Sequence, residues 1–189
     1  MGNKITTENY FKKLNEVIET LDFEIVDELA EKIEDTIRKG NAVYTCGNGG
    51  SAQTASHMVT DWAKMFNIEH KLPARVFSLV DNKGLITAYG NDIDYSKIFS
   101  EQLSCYAESG DLLLVISGSG NSPNILEAIN YANENNIDVF SILGYDGGKA
   151  KDLSKNSFVV PSFDMQICED IHMSICHVVM KKICQYEIK

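Results

Sequence analysis

His57 and Asp61 stand four residues apart in "GGSAQTASHMVTDWA". On a helix that spacing puts an imidazole and a carboxylate on one face, one turn apart. Such a pair can move a proton to or from a ligand, contribute to a divalent-cation site, or form an ordinary surface hydrogen bond. A second group of ionisable residues lies in "CEDIHMSICH": Glu169, Asp170, His172 and His177. On a straight helix Glu169 and His172 are about 60° apart, whereas His172 and His177 are about 140° apart. The two histidines therefore do not serve one site easily, and either reads equally well as a hydrogen-bonded helix histidine.

Two glycine and hydroxyl segments look alike: "CGNGGSA" at 46–52 and "SGSGNSP" at 117–123. Each follows an apolar run and opens a helical stretch. Glycines let the backbone approach a ligand closely, and the first turn of the helix offers unpaired N–H groups to an anion. Ser122 followed by Pro123 suits an N-cap and the first helical position. Either loop alone reads equally as a tight turn between strand and helix. Gly47, Gly49 and Ala52 also fit a relaxed GxGxxA dinucleotide fingerprint, with Asp81 where a ribose-binding acid would sit. That reading leaves Ser117, Ser119 and Ser122 unexplained. A cluster of hydroxyls at a helix start suits one compact phosphate group, held without Lys or Arg. "GND" at 90–92 reads as a turn or as a polar contact to a sugar.

The elements that must position these residues follow from apolar periodicity. Residues 7–21 read as an amphipathic helix. In 23–39, Val26, Leu29, Ala30, Ile33 and Ile37 form a helical stripe, with Asp22 as N-cap and Gly40 as C-cap. Then come a strand in "AVYTC", a helix at 51–66, a strand in "RVFSLV" and helical stretches near 82–89 and 94–107. A strand in "LLLVIS", a helix at 122–136, strands in "VFSILG" and "SFVVP" and a helix near 165–187 complete the chain. "LLLVIS" has no polar alternation, as expected for a strand covered on both faces. Alternating strands and helices imply a parallel sheet in a three-layer α/β/α sandwich.

The 189 residues suffice for one domain, with helices at 1–40 offering a packing surface for another subunit and an α/β core at 41–189. The net charge of −10, with scattered Lys and Arg, argues against nucleic-acid binding through a broad basic face. An anionic ligand must then be held locally by N–H groups and hydroxyls. No apolar run approaches the roughly 20 residues of a membrane span, and the N-terminus lacks a signal-peptide apolar region. Five cysteines without a CxxC pair read as free thiols in a reducing, cytoplasmic compartment. "MGNKIT" fits the myristoylation pattern, with Thr6 in the last place, but that pattern is short and a bacterial cytosolic protein would not use it.

Together, "CGNGGSA…H", "GND", "ISGSGNSPN", "GYDGG" and "EDIH….H" resemble the sugar isomerase (SIS) superfamily, and within it the bacterial sedoheptulose-7-phosphate, or phosphoheptose, isomerases. The resemblance implies a flavodoxin-like five-stranded parallel sheet and a homotetramer with sites between subunits. It implies substrate contacts from Asn48, Gly49, Gly50 and the adjoining Ser51, and from Asn91 and Asp92. It implies phosphate binding by the loop of Ser117, Gly118, Ser119 and Ser122. Zinc or another divalent ion would sit on His57, Asp61, Glu169 and His177, with Glu169 also facing substrate. Asp61 would be the base and His177 the acid, while His172 falls on a histidine that is not a ligand. Four positions depart from the family pattern: Asp61 replaces Glu, Glu169 replaces Gln, Gly118 replaces Thr, and Met65 replaces a frequent Arg. Along a straight helix Glu169 and His177 are about 12 Å apart, so one ion would need an irregular helix start or ligands from two subunits. The implied activity is aldose–ketose isomerisation of a sugar phosphate, most simply sedoheptulose 7-phosphate. The alternatives are a non-catalytic sugar-phosphate-binding relative of the replication-initiator-associating type, or an isomerase of another sugar phosphate.

Overall fold

The structure is a computed structural model, and it describes residues 5–185. Residues 1–4 of the myristoylation pattern, and 186–187 of the last expected helix, lie outside that range. Five strands share one sheet: β1 (Val43–Gly47), β2 (Val76–Ser78), β3 (Leu112–Ser117), β4 (Asp138–Leu143) and β5 (Asn156–Val159). Their order is β2-β1-β3-β4-β5 and every pair is parallel. The helices are α1 (Thr7–Ile18), α2 (Glu24–Arg38), α3 (Gly50–His70), α4 (Lys83–Asp92), α5 (Ser100–Tyr106), α6 (Pro123–Glu134), α7 (Gly148–Leu153) and α8 (Met165–Ile183).

Two cores sandwich the sheet. On one face Val43, Leu114, Ile116 and Ile142 pack against α2, α3 and α8 through Leu29, Met58, Trp62 and Ile175. On the other, Tyr44, Leu113 and Val115 pack against α5 and α6 through Leu103, Ile125 and Ile129. Every residue of β3 is buried, which is why its sequence lacks alternation. The chain steps from β1 out to β2, then returns past β1 to β3. The loops leaving β1 and β3 therefore diverge side by side, where open α/β sheets bind ligands.

Several boundaries differ from those read in the sequence. Asp22 is not the cap of α2: Phe23 occupies that position, and the Asp22 carboxylate accepts the Glu24 N–H. Past the end of α2, Gly40 adopts φ +81°, with its N–H on the Ile37 carbonyl and the Asn41 N–H on Thr36, a Schellman ending. Strand β2, at the sheet edge, is only three residues long and leaves Phe77 exposed. The stretch at 94–107 splits into a 3₁₀ turn at Tyr95–Lys97 and α5. Gly90, Asn91 and Asp92 form the last turn of α4, and Ile93 closes it by donating to the Tyr89 carbonyl. The short helix α7 has no counterpart in the expected elements.

Helix α3 sets the azimuth of the first ionisable pair. It buries Thr54, Ala55, Met58, Trp62 and Phe66, a stripe with helical spacing. Burying Met58 and Phe66 contributes about 1.5–3 kcal/mol each. His57 and Asp61 fall beside that stripe, half-buried and facing α8.

Candidate active site

The loop after β1 is shaped by its glycines. Gly49 has φ +56° and ψ −124°, accessible to glycine at little cost. A Cβ on Gly47 would lie 2.6 Å from the Ser51 carbonyl oxygen, and one on Gly50 would overlap the Glu169 carboxylate. Asn48 donates to Asn124 Oδ1 at 2.8 Å, and Asn124 donates back to Asn48 Oδ1 at 2.8 Å. This reciprocal amide pair ties the first loop to the start of α6. The Tyr95 hydroxyl also donates to Asn48 Oδ1, at 3.4 Å.

In the second loop, Ser117 Oγ accepts the Gly120 N–H at 3.1 Å and Ser119 Oγ accepts the Asn121 N–H at 3.3 Å. Asn121 donates to the Ser119 carbonyl and accepts from the Lys149 N–H, while the Gly120 carbonyl accepts from Ala150. The "GYDGG" segment is thus the buttress of the serine loop. Gly120, at φ +62°, has no room for a Cβ beside the Gly147 carbonyl. Tyr95 lies outside the quoted motifs, and Asn121 and Asn124 stand within "ISGSGNSPN" without being singled out as site residues. Asn124 is 2% exposed, and its type alone does not distinguish a buried network member from a surface polar residue.

Between the loops lies a cavity of about 280 Å³, lined by Gly49–Ser51, Ser117–Ser119 and Ser122, with Met165 and Glu169 of α8 as its far wall. Among the described residues no Lys or Arg lines it. What it offers to an anion are hydroxyls and the N–H groups at the starts of α3 and α6. Met165 Sδ fills the space that a side chain at Gly118 would need. Asn91 and Asp92 are exposed, bond to each other at 2.8 Å and do not line this cavity. Asp81 accepts the Ser56 hydroxyl at 2.7 Å.

Farther along the seam of α3 and α8, His57, Asp61 and His177 converge. The two Nε2 atoms are 3.0 Å apart, and Asp61 Oδ2 lies 3.4 Å from His57 Nε2 and 3.9 Å from His177 Nε2. Trp62 Nε1 pins the seam by donating to the Cys176 carbonyl at 3.1 Å. Cys176 Sγ is buried and within 4.8 Å of the His57 and Asp61 donor atoms. Burial, aided by the Asp61 charge, pushes the Cys176 thiol up to about 12. Glu169 stays at the cavity end, beside Gly50, roughly 12 Å along α8 from His177. Within one chain it is not among the grouped donors. His172 is fully buried; among the described residues no hydrogen bond of good geometry reaches its ring nitrogens, and the Leu143 backbone is the polar group nearest to acting as a partner. Burial pulls its pKa down to about 4, with the Leu143 backbone opposing weakly.

The donor set fits a divalent ion. Two imidazole nitrogens 3.0 Å apart need a proton or a cation between them. Zinc bonds of about 2.0–2.2 Å to nitrogen and oxygen hold neighbouring tetrahedral donors roughly 3.3 Å apart, near the 3.4 Å seen for His57 and Asp61.

Comparison with known proteins identifies the family. Residues 8–144 match the family model of the SIS domain. A phosphoheptose isomerase from Pelobacter propionicus is 36% identical over 156 residues, 82% of this chain and 82% of that protein. This chain belongs to the phosphoheptose isomerase family of SIS-domain proteins. Phosphoheptose isomerase from Neisseria gonorrhoeae superposes with a TM-score of 0.86 at 28% identity, over 93% of this chain and 95% of the other. The enzyme from Francisella tularensis gives 0.84 at 26% identity, over 97% and 100%. The five-stranded parallel sheet and its flanking helices are those of this family. No helix among the described residues is long and apolar enough to cross a membrane.

Proposed function

We propose that this protein is an aldose–ketose isomerase of sugar phosphates whose substrate is sedoheptulose 7-phosphate. One observation carries the reading: a serine-lined anion cavity and a His–Asp–His cluster share one helix seam. From Gly50 to His57 is seven residues, about 10 Å along α3. An extended seven-carbon phosphate, with C–C bonds of about 1.5 Å, is roughly 9–10 Å from its carbonyl end to phosphorus. A five-carbon phosphate falls short by about 2.5 Å on the same geometry. With the phosphate at Ser117, Ser119 and Ser122, a heptose phosphate brings its reacting carbons to Asp61 and His177.

Asp61 removes a proton from C1 of the ketose while His177 gives a proton to the C2 oxygen. The resulting enediol returns its O1 proton to His177 and takes a proton at C2 from Asp61, yielding the aldose and restoring both groups. His57 orients Asp61 and His177. The serine loop and the Asn48–Asn124 pair fix the substrate's register, so that both proton transfers occur at short range. A divalent ion held by His57 and one Asp61 oxygen, with His177 joining them when it carries no proton, would supply electrostatic stabilisation of the developing oxyanion. Glu169 would join such a set only from a second subunit and otherwise faces the sugar.

We also propose one working domain assembled as a homotetramer in the cytoplasm, with α1 and α2 at the interface and sites between subunits. Ile5, Phe11 and Phe23, exposed in the single chain, support this, as do Asn91 and Asp92, which need a neighbour to meet a substrate. Light scattering should give four chains per particle; an active monomer would refute it. A binding-only SIS protein needs the two loops but not His57, Asp61 and His177 together. A panel of pentose, hexose and heptose phosphates tests the main reading. The heptose 7-phosphate should give the highest kcat/KM, and no conversion of any member would overturn it.

A further inference from the structure

We infer that a second cavity, at the β2 edge of the sheet, is a binding site for a nucleoside phosphate. It encloses about 300 Å³, and its lining includes Tyr44, Arg75, Phe77, Asn82, Gln102 and Tyr106. That volume lies at the lower end of the range for small-ligand sites. None of these residues lines the cavity between the two ligand loops. Three aromatic side chains set its character. Tyr44 of β1 stacks on its register partner Phe77 of β2, with ring centroids 5.8 Å apart and planes 29° apart. Phe77 is 47% exposed and Tyr106 52%, which leaves ring surface on which a flat ligand can stack.

A buried amide sets the polar requirement. Gln102 of α5 is only 2% exposed, yet it lines the cavity. Its Nε2 donates to the Leu79 carbonyl at 2.9 Å and to the Ile98 carbonyl at 2.7 Å, which fixes the nitrogen end of the amide. Oε1 is left as an acceptor that meets no donor among the described residues, so a ligand N–H or O–H is its missing partner. Asn82 has the opposite need. Its Oδ1 accepts the Leu85 N–H at 3.1 Å as the cap of α4, which leaves its amide nitrogen to donate. Arg75, on the exposed side, spends Nη1 on the Gly40 carbonyl at 3.2 Å and keeps other guanidinium N–H groups for an anion. The cavity therefore offers stacking surface, one acceptor, one donor and a cation. Adenine presents a flat face and an amino donor beside a ring acceptor, and a phosphate supplies the negative charge. A sugar phosphate without a base would leave the aromatic surface unused.

Calorimetry of the full chain with adenosine 5′-monophosphate tests the site, and saturable binding is expected. F77A should weaken that binding at least about fivefold, the lower end for loss of a base-stacking aromatic. R75A should weaken it about tenfold or more, as for a lost charge-assisted hydrogen bond. Both side chains are exposed, and circular dichroism checks that each variant folds. The ligand can also be varied against the unaltered protein. Purine riboside 5′-monophosphate lacks the amino donor and should bind about tenfold more weakly, because Gln102 Oε1 then stays unpaired. S119A should leave the affinity for adenosine monophosphate unchanged. No saturation at millimolar nucleotide, equal binding of the two nucleotides, or indifference to F77A and R75A would each overturn the inference. Binding lost in S119A but kept in F77A would place the nucleotide on the serine loop and refute it too. Ribose 5-phosphate that binds as tightly, with the same sensitivity to F77A, would make this a sugar-phosphate site instead. None of these readouts uses turnover, so failure of the isomerase reading leaves them standing.

Discussion

Acidification should unfold this protein through one buried side chain, His172. The ring is 0% exposed, and burial outweighs a weak Leu143 backbone contact to hold its pKa near 4 rather than 6.5. The unfolded chain therefore binds more protons than the folded one between pH 6.5 and about 4. Stability is fully present above pH 6.5 and falls as the pH drops through this window. A shift of about 2.5 units at 1.36 kcal/mol each gives a loss of roughly 3 kcal/mol. H172L removes the titrating group and two buried ring nitrogens that lack hydrogen bonds of good geometry. It should stabilise the protein by about 1–3 kcal/mol at pH 7 and flatten the acid limb. Urea unfolding at fixed protein concentration, at pH 7.0, 5.5 and 4.5, measures both effects. Carboxylates titrate alike in the two proteins, so the difference between their slopes isolates the histidine. Parallel pH profiles for wild type and H172L would refute the reasoning.

Two further outcomes follow from the second loop. S119A should weaken binding of the sugar phosphate about ten- to a hundredfold, or roughly 1.5–3 kcal/mol, by calorimetry. Unchanged affinity would place the phosphate elsewhere. G120A puts a Cβ at φ +62° against the Gly147 carbonyl. The left-handed conformation costs about 1–2 kcal/mol and the overlap about 1–3 more, so denaturant unfolding should show a loss of roughly 2–5 kcal/mol. A loss under about 1 kcal/mol would mean that the loop yields easily.

The sheet was legible because "LLLVIS" and its neighbours carry their burial in their composition, and both ligand loops announce themselves through glycine and serine. Local pattern failed where the outcome depends on distant contacts. "GND" reads as a turn because glycine disfavours a helix interior, yet α4 runs through it. Helix α7 is six residues long and starts at two glycines, so no periodicity could develop. The pairing of His57 with His177 spans 120 residues and arises only when α3 packs on α8. The eight-residue spacing from Glu169 to His177 did carry a usable signal, because two turns of helix keep them apart.

The central claim is that Asp61 moves the substrate's proton. Incubation of sedoheptulose 7-phosphate with the protein in heavy water, followed by proton NMR, tests it most directly. The wild type should exchange a C1 proton for deuterium and form the aldose. D61N keeps the shape and removes the basicity, so exchange should fall by about 10²–10⁴-fold while binding stays within about tenfold. An Asn variant that exchanges as fast as wild type would contradict the account, and the base would then have to be another group on the α3–α8 seam.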